Sequence, residues 1–240
     1  HSCKRIKINL SFIDCDIMNT PIILVNFKIY DEIYGIKGLE LARVCQKVSE
    51  KTGINIAIAP QVIDLRYIAE KISIPVFSQH VHNMKPGNGT GKITLEGIKA
   101  SNAVGTLINH SENRVIISDI ESIVKKSKEL DLISVVCTNN ISVSKAIAMF
   151  NPTFIAVEPP ELIGGNVSVT DADPDIVKNT VKEIQAISPE VKVLCGAGIK
   201  NGNDVRKAIE LGAEGVLLAS GVTKAKNPSQ VLEDLASGAM

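Results

Sequence analysis

The sequence has few aromatic residues and no excess of charge of either sign. Tryptophan is absent, and aromatic residues make up 3% of the 240 residues. Single-stranded nucleic acid is bound on platforms of aromatic rings, so this scarcity argues against such a function. The 26 basic and 26 acidic side chains give a formal net charge of zero, whereas duplex DNA is held by a basic surface. We therefore expect no nucleic-acid partner.

The sequence also lacks long apolar runs and paired cysteine motifs. No run approaches the roughly 18–20 apolar residues that cross a bilayer, so we expect no membrane partner. Five cysteines are present, and no two have C-x-x-C spacing, which argues against zinc and redox sites. They are Cys3, Cys15, Cys45, Cys137 and Cys195. The pattern predicts a cytoplasmic protein without a metal site.

The first 17 residues differ from the rest of the chain. They read HSCKRIKINLSFIDCDI, and Asp14 and Asp16 interrupt the apolar stretch that a signal peptide would need. Met18 then begins an apolar run that looks like a natural start. We expect residues 1–17 to be an N-terminal extension or an upstream addition, with a short extra arm as the alternative. Residues 18–240 are expected to form a single catalytic domain.

Short apolar runs recur along the rest of the chain. They are nearly continuous rather than alternating, which is typical of parallel strands buried on both faces. The runs are residues 22–25, 54–59, 74–77, 104–108, 132–136, 154–157, 191–194 and 215–218.

Segments with helical periodicity lie between these runs. Residues 39–48 carry an apolar stripe, and Gly53 follows where a glycine can end a helix with a positive φ. Asp173-Pro174 is typical of an N-cap and a first helical residue, and Gly212 ends a predicted helix at residues 205–211. Alternation without a linker favours an α/β fold, a closed (β/α)8 barrel of eight parallel strands.

A doubly wound open sheet is the alternative fold. It would normally place a G-x-G-x-x-G phosphate fingerprint directly after the first strand. Here the first strand runs into Asn26-Phe27-Lys28, which contains no glycine. The barrel is therefore the better interpretation.

Polar residues stand at the carboxyl ends of several predicted strands, where such barrels carry their catalytic groups. Asn26 and Lys28 follow the first strand, Asn109-His110-Ser111-Glu112 the fourth and Glu158 the sixth. Lys28 is also compatible with a solvated lysine, and His110 with a cap or core residue. His110 precedes a segment expected to be helical, which would place the imidazole at the positive end of a helix. A carboxylate buried without a partner is costly, so Glu158 is hardest to explain by structure alone.

Two glycine-bearing turns indicate an anion site. Cys195-Gly196-Ala197-Gly198 and Ala219-Ser220-Gly221 follow the seventh and eighth strands, where barrels frequently bind phosphate, although glycine also serves ordinary turns. Residues 159–166, PPELIGGN, are a candidate lid that would exclude water from an anionic intermediate. A lid next to a carboxylate and a phosphate cradle points to a small phosphorylated substrate.

Taken in order, these motifs resemble the triosephosphate isomerase family in its short archaeal form. The resemblance extends roughly from Met18 to the C-terminus. It rests on Val25-Asn26-Phe27-Lys28, Asn88-Gly89-Thr90-Gly91, Asn109-His110-Ser111-Glu112, Val157-Glu158-Pro159-Pro160-Glu161-Leu162-Ile163-Gly164, Cys195-Gly196-Ala197-Gly198-Ile199 and Leu217-Leu218-Ala219-Ser220-Gly221.

The resemblance implies a TIM barrel that interconverts dihydroxyacetone phosphate and D-glyceraldehyde 3-phosphate, in glycolysis and gluconeogenesis, without a cofactor. By this resemblance Glu158 is the base, His110 polarises the carbonyl, and Lys28 stabilises the enediolate. Asn26 helps to position the substrate, and Glu112 orients Lys28. Backbone groups near five residues would bind the phosphate: Ile163, Gly164, Gly198, Ala219 and Ser220.

The resemblance also implies a homo-oligomer, either a dimer or a tetramer. Thr90 would reach the active site of a neighbouring subunit. The candidate lid departs from the family pattern, because Gly164-Gly165-Asn166 stands where Gly-Thr-Gly is usual.

Two other functions fit the predicted fold. An aldolase or synthase would want a Schiff-base lysine on the sixth strand or a metal cluster, and the sequence shows neither. A non-catalytic phosphosugar-binding barrel would keep Gly198 and Ser220 but would not need both Glu158 and His110.

Overall fold

A computed structural model describes residues 19–158 and 174–240 of the chain. The expected extension at residues 1–17, the candidate lid at residues 159–166 and the predicted cap Asp173 lie outside the described residues. Cys3, Cys15, Ile163 and Gly164 lie outside them as well.

Strands and helices alternate throughout the described part of the chain. The strands are β1 (Ile22–Asn26), β2 (Asn55–Ala59), β3 (Phe77–Ser78), β4 (Gly105–Ile108), β5 (Ile133–Thr138), β6 (Phe154–Val157), β7 (Lys192–Cys195) and β8 (Gly215–Leu218). The helices are α1 (Ile36–Thr52), α2 (Leu65–Ala69), α3 (Leu95–Ala100), α4 (Ile117–Glu129), α5 (Ile141–Ala148), α6 (Pro174–Ile187), α7 (Gly202–Glu210), α8 (Ser220–Thr223) and α9 (Pro228–Gly238). A 3-10 turn, Asp31–Ile33, precedes α1.

The strands form one parallel sheet that closes on itself. Its order is β2-β1-β8-β7-β6-β5-β4-β3, and a single parallel bridge, Ile58 to Val76, joins β2 to the residues before β3. This ring confirms the predicted (β/α)8 barrel and excludes the doubly wound sheet. No helix in the described ranges is both long enough and apolar enough to span a bilayer.

Most predicted boundaries agree with the structure. The strands at residues 154–157 and 215–218 are confirmed, and Gly53 ends α1 with a φ of 74°. Gly212, with a φ of 96°, follows α7 as expected. The third strand was predicted at residues 74–77, but β3 begins only at Phe77. Pro75 explains the shift, because a proline has no N–H to donate to the ladder.

Side chains separate into two apolar layers according to their position along each strand. Ile22 and Leu24 of β1 belong to a small cluster inside the barrel, whereas Ile23 and Val25 pack between the barrel and its helices. On β6, Phe154 and Ala156 point inward in the same way. Since strand side chains alternate, Asn26 and Glu158 continue the inward-facing rows of these two strands at the open end of the barrel.

Candidate active site

Glu158 stands at the carboxyl end of β6 with its side chain turned into the mouth of the barrel. Its backbone N–H donates to the Thr138 carbonyl at 2.7 Å, which extends the pairing with β5 by one step. The side chain is 5% exposed, and its Oε2 atom has no hydrogen-bond partner among the described residues. The structure therefore confirms a buried carboxylate with one free oxygen at the place that the sequence predicted.

Gly196 makes the space that the Glu158 side chain occupies. It follows β7, and its N–H donates to the Val157 carbonyl at 2.9 Å. A Cβ at position 196 would lie 2.5 Å from Cγ of Glu158 and 3.0 Å from the Val157 carbonyl oxygen. Real Cβ atoms essentially never make a contact of 2.5 Å, so only glycine fits here without displacing the carboxylate.

His110 faces Glu158 across the mouth. Its Nε2 atom lies 3.4 Å from Oε1 of Glu158, and its Nδ1 atom accepts the backbone N–H of Glu112 at 3.2 Å. Because Nδ1 accepts a hydrogen bond, the ring proton resides on Nε2. The imidazole thus presents an N–H donor to the cavity that holds the carboxylate.

The local backbone at His110 differs from the expectation. His110 was predicted to precede a helix directly, but residues 111–113 form a turn and α4 begins only at Ile117. The expected placement of the imidazole at a helix N-terminus is therefore wrong. A turn holds the ring instead, and in it the Asn113 N–H donates to the His110 carbonyl at 2.8 Å.

Lys28 lies on the same rim with an unusual backbone. Its φ is 52°, in the left-handed region, and its N–H donates to Oδ1 of Asn26 at 2.9 Å. Its Nζ atom lies 2.6 Å from Oε1 of Glu112, and its side chain is 15% exposed. Glu112 thus contacts both the cation, through its carboxylate, and the imidazole, through its backbone N–H.

Gln79 is a residue of this site that sequence reasoning missed. Its Nε2 atom donates to the Lys28 carbonyl at 2.8 Å and to the Ala59 carbonyl at 2.9 Å. Gln79 therefore links the end of β3 to the ends of β1 and β2, and it stabilises the left-handed backbone of Lys28. A signal was present, because Gln79 stands at the end of the predicted third strand, where barrel sites collect polar residues.

The two glycine-bearing turns lie on the same cavity. Gly198 has a φ of 70°, and Ala219 directly precedes the short helix α8, as the sequence predicted for an anion-binding turn. The cavity has a volume of about 580 Å³. Its lining includes Asn26, Lys28, Tyr30, His110, Glu112, Glu158, Gly196, Gly198, Lys200, Ala219 and Ser220. Tyr30 and Lys200 were not singled out from the sequence.

A buried cysteine lies beside the catalytic carboxylate candidate. Burial raises the pKa of the Cys137 thiol well above its ordinary value, and the nearby Glu158 carboxylate raises it further. Cys137 therefore stays a neutral thiol and adds no negative charge next to Glu158. Among residues 19–158 and 174–240, no cluster of three or more His, Cys, Asp or Glu side chains could hold a metal ion.

Comparisons with known proteins indicate the family of the chain. The family model described as triosephosphate isomerase matches residues 21–236. The chain is 53% identical to the triosephosphate isomerase of Methanocaldococcus jannaschii over 214 residues, which cover 89% of this chain and 98% of that protein. It is 51% identical to the enzyme of Methanothermus fervidus over 218 residues, 91% and 98% of the two chains. It is 47% identical to that of Methanosarcina barkeri over 218 residues, again 91% and 98%.

Proposed function

The chain belongs to the triosephosphate isomerase family, and on that premise we propose how its residues interconvert dihydroxyacetone phosphate and D-glyceraldehyde 3-phosphate. The observation that carries the proposal is the pair of groups 3.4 Å apart, a buried carboxylate of Glu158 and the Nε2 atom of His110. A proton can pass between neighbouring carbons only if one base reaches both, while a donor polarises the oxygens.

Glu158 serves as the base in this mechanism. Its carboxylate takes a proton from C1 of dihydroxyacetone phosphate, the C–H electron pair forms the C1–C2 double bond, and the carbonyl pair moves onto the C2 oxygen. The resulting enediolate is reprotonated at C2 by the same carboxyl group to give glyceraldehyde 3-phosphate, after a proton has moved between the two oxygens. The reaction neither gains nor loses atoms, and it needs no oxidant or reductant.

His110 and Lys28 stabilise the negative charge of the enediolate. The Nε2–H of His110 points into the cavity and donates to the substrate oxygens, and the Nζ cation of Lys28 offsets their developing charge. Both groups are held before substrate arrives, the ring by the Glu112 N–H and the cation by the Glu112 carboxylate. Preorganised donors of this kind usually supply the largest share of a rate enhancement.

The phosphate group is proposed to bind at the two glycine-bearing turns. Gly198, Ala219 and Ser220 line the same cavity as Lys28, and their backbone N–H groups are the proposed donors. The predicted contributions of Ile163 and Gly164 lie outside the described residues and remain part of the proposal. A dianionic phosphate suits such turns because their N–H groups carry positive partial charge.

An assay of the isomerisation in both directions tests the proposed function. Purified protein should convert each triose phosphate into the other, followed by coupled dehydrogenases. In D₂O, product released early should carry deuterium at the carbon that accepts the shuttled proton, since a carboxylic acid exchanges with solvent. Absence of turnover with either triose phosphate, in folded protein, would overturn the proposal.

We also propose that the protein is a cytoplasmic homo-oligomer, a dimer or a tetramer. Residues 85–92, which include Thr90, are all exposed. The loops after β1 and β2 carry exposed Ile29 and Ile63, and exposed Ile36 begins α1. Apolar side chains on adjacent loops favour a protein contact. The described cysteines are free thiols, which suits a reducing compartment. Light scattering after size exclusion should give a mass of two or four chains, and a monomer at micromolar concentration would contradict it.

A further inference from the structure

The imidazole of His110 enters the cavity against the alternation of its own strand. On β4, Leu107 points into the barrel and Ile108 points outward to the helices. Continued alternation would turn residue 109 inward and residue 110 outward. Yet His110 lines the cavity beside Glu158. The chain must therefore change direction between Ile108 and His110.

Asn109 is where the direction changes. Its φ is 62°, in the left-handed region that residues other than glycine rarely adopt. The conformation is unfavourable for an L-residue, although asparagine tolerates it better than most. A backbone held there needs contacts that fix it, and the side chain of Asn109 supplies them.

The buried amide of Asn109 bridges two strand ends. Its Nδ2 atom donates to the Cys137 carbonyl on β5 at 2.9 Å, and its Oδ1 atom accepts the Val115 N–H at 3.0 Å. A carbonyl can only accept and a backbone N–H can only donate, so the orientation of this amide is fixed. The side chain therefore closes the turn that carries His110 and ties it to the neighbouring strand.

A third contact fixes the backbone of the same residue. The exposed side chain of Arg114 donates from Nη1 to the Asn109 carbonyl at 3.0 Å. Both polar ends of the Asn109 side chain and its carbonyl oxygen are thus occupied. The residue cannot rotate without breaking several hydrogen bonds at once.

The strand to which Asn109 is tied also supports Glu158. The Glu158 N–H donates to the carbonyl of Thr138, the residue after Cys137, and the Cys137 side chain interacts with the Glu158 carboxylate. His110 and Glu158, the two members of the 3.4 Å pair, are therefore both anchored to β5. Asn109 links the turn of His110 to this strand, and the Thr138 carbonyl links Glu158 to it.

We propose that Asn109 is a positioning residue, whose side-chain amide sets the distance of the His110 imidazole from Glu158 and from the substrate oxygens. The proposal rests on the proposed function of His110 and Glu158. It separates two roles of Asn109: adopting the left-handed backbone, which glycine does equally well, and anchoring the turn to β5, which glycine cannot do. It assigns the effect on catalysis to the second role.

The test compares Asn109→Gly with wild type and with Asn151→Gly. Asn151 also has a left-handed backbone, with a φ of 55°, but it lies after α5, away from the cavity. Asn109→Gly should lower kcat about 10- to 100-fold and leave KM within about twofold, because a small misplacement of a reacting group is costly. Asn151→Gly should keep the kcat of wild type.

The affinities for two anions distinguish a positioning role of Asn109 from a purely structural role. Inorganic phosphate should bind to Asn109→Gly as it does to wild type, since the glycine-bearing turns are intact. Phosphoglycolate, whose carboxylate resembles the enediolate, should bind about tenfold more weakly. A wild-type kcat and wild-type phosphoglycolate affinity in folded Asn109→Gly would overturn the proposal.

A milder substitution at the same position keeps the test decisive if Asn109→Gly does not fold. Asn109→Asp keeps the Oδ1 acceptor for the Val115 N–H but loses the Nδ2 donor to the Cys137 carbonyl, and it should lower kcat severalfold at unchanged KM. If Asn109→Gly is unfolded, a wild-type kcat in folded Asn109→Asp overturns the proposal. Failure of the proposed function is distinct, because wild-type protein itself would then show no isomerisation.

Discussion

The Nε2 atom of His110 and the Oε1 atom of Glu158 lie 3.4 Å apart, although β4 and β6 are separated in the barrel by β5. The proposed donor and the proposed base therefore reach over an intervening strand into the same cavity. Both side chains are buried. The Glu112 N–H donates to the imidazole, and the lack of a side chain at Gly196 leaves room for the carboxylate. Small changes at either side chain should therefore alter catalysis more than they alter stability.

Glu158→Asp should remove most of the activity and leave the fold intact. The substitution withdraws the carboxylate by one C–C bond, about 1.5 Å, from the carbons between which it is proposed to move a proton. We expect kcat to fall about 100- to 1,000-fold with little change in Tm. Glu129→Asp, on an exposed position at the end of α4, is the matched control and should behave as wild type. Unchanged turnover in Glu158→Asp would remove this residue from the mechanism.

Gly196→Ala should impair catalysis through contact with Glu158. The new Cβ would lie 2.5 Å from Cγ of Glu158, so the carboxylate must move away. We expect kcat to fall at least tenfold and unfolding to become easier by about 1–3 kcal/mol, as for overpacked cores. Gly97→Ala, in the exposed part of α3, meets only ordinary contacts and should be neutral or slightly stabilising. Steady-state kinetics and chemical denaturation together decide the matter, and wild-type values in Gly196→Ala would contradict the described packing.

Glu112→Gln should separate the catalytic from the stabilising effect of its ion pair with Lys28. The Glu112 side chain is 58% exposed, and exposed ion pairs contribute at most about 1 kcal/mol to stability. Tm should therefore change little, while kcat/KM falls about 3- to 10-fold because Lys28 loses its fixed position. Lys28→Ala should reduce kcat and raise KM together. A fall in Tm without a kinetic effect in Glu112→Gln would show that the pair is only structural.

His80 should make the folded protein sensitive to mild acid. Burial lowers the pKa of His80 in the folded state, and the neighbouring His82 and Lys92 lower it further. The unfolded chain then binds the proton more readily, so stability is lost as pH falls below the ordinary histidine pKa of about 6.5. His80→Gln should reduce the loss of Tm between pH 7.5 and pH 5.0 by on the order of 2 °C. Identical pH profiles for variant and wild type would exclude His80 as the cause.

The barrel could be predicted from sequence because its strands are apolar on both faces. Runs such as residues 154–157 and 215–218 match β6 and β8, and Asn26, Lys28, His110 and Glu158 all line one cavity as expected. Strand ends of a barrel meet at one rim, so position along the chain was enough to bring these residues together.

The parts that could not be predicted depend on single backbone conformations. The left-handed φ of Asn109 turns His110 inward and replaces the expected helix with a turn. Asparagine is compatible with many local conformations, and its partners on β5, at Val115 and at Arg114 select this one. Gln79 was missed for a similar reason, since its function is visible only in the two carbonyls that it joins.

The seam between β2 and β3 has a consequence for how the protein responds to heat. One bridge at Ile58 and Val76 closes the wall there, and Gln79 reinforces it by joining the Ala59 and Lys28 carbonyls. Amide hydrogens along this joint should exchange with solvent sooner than those of the continuous ladder on the opposite wall. Each such opening releases the backbone of Lys28 as well, so turnover should decline on warming before the molecule as a whole unfolds.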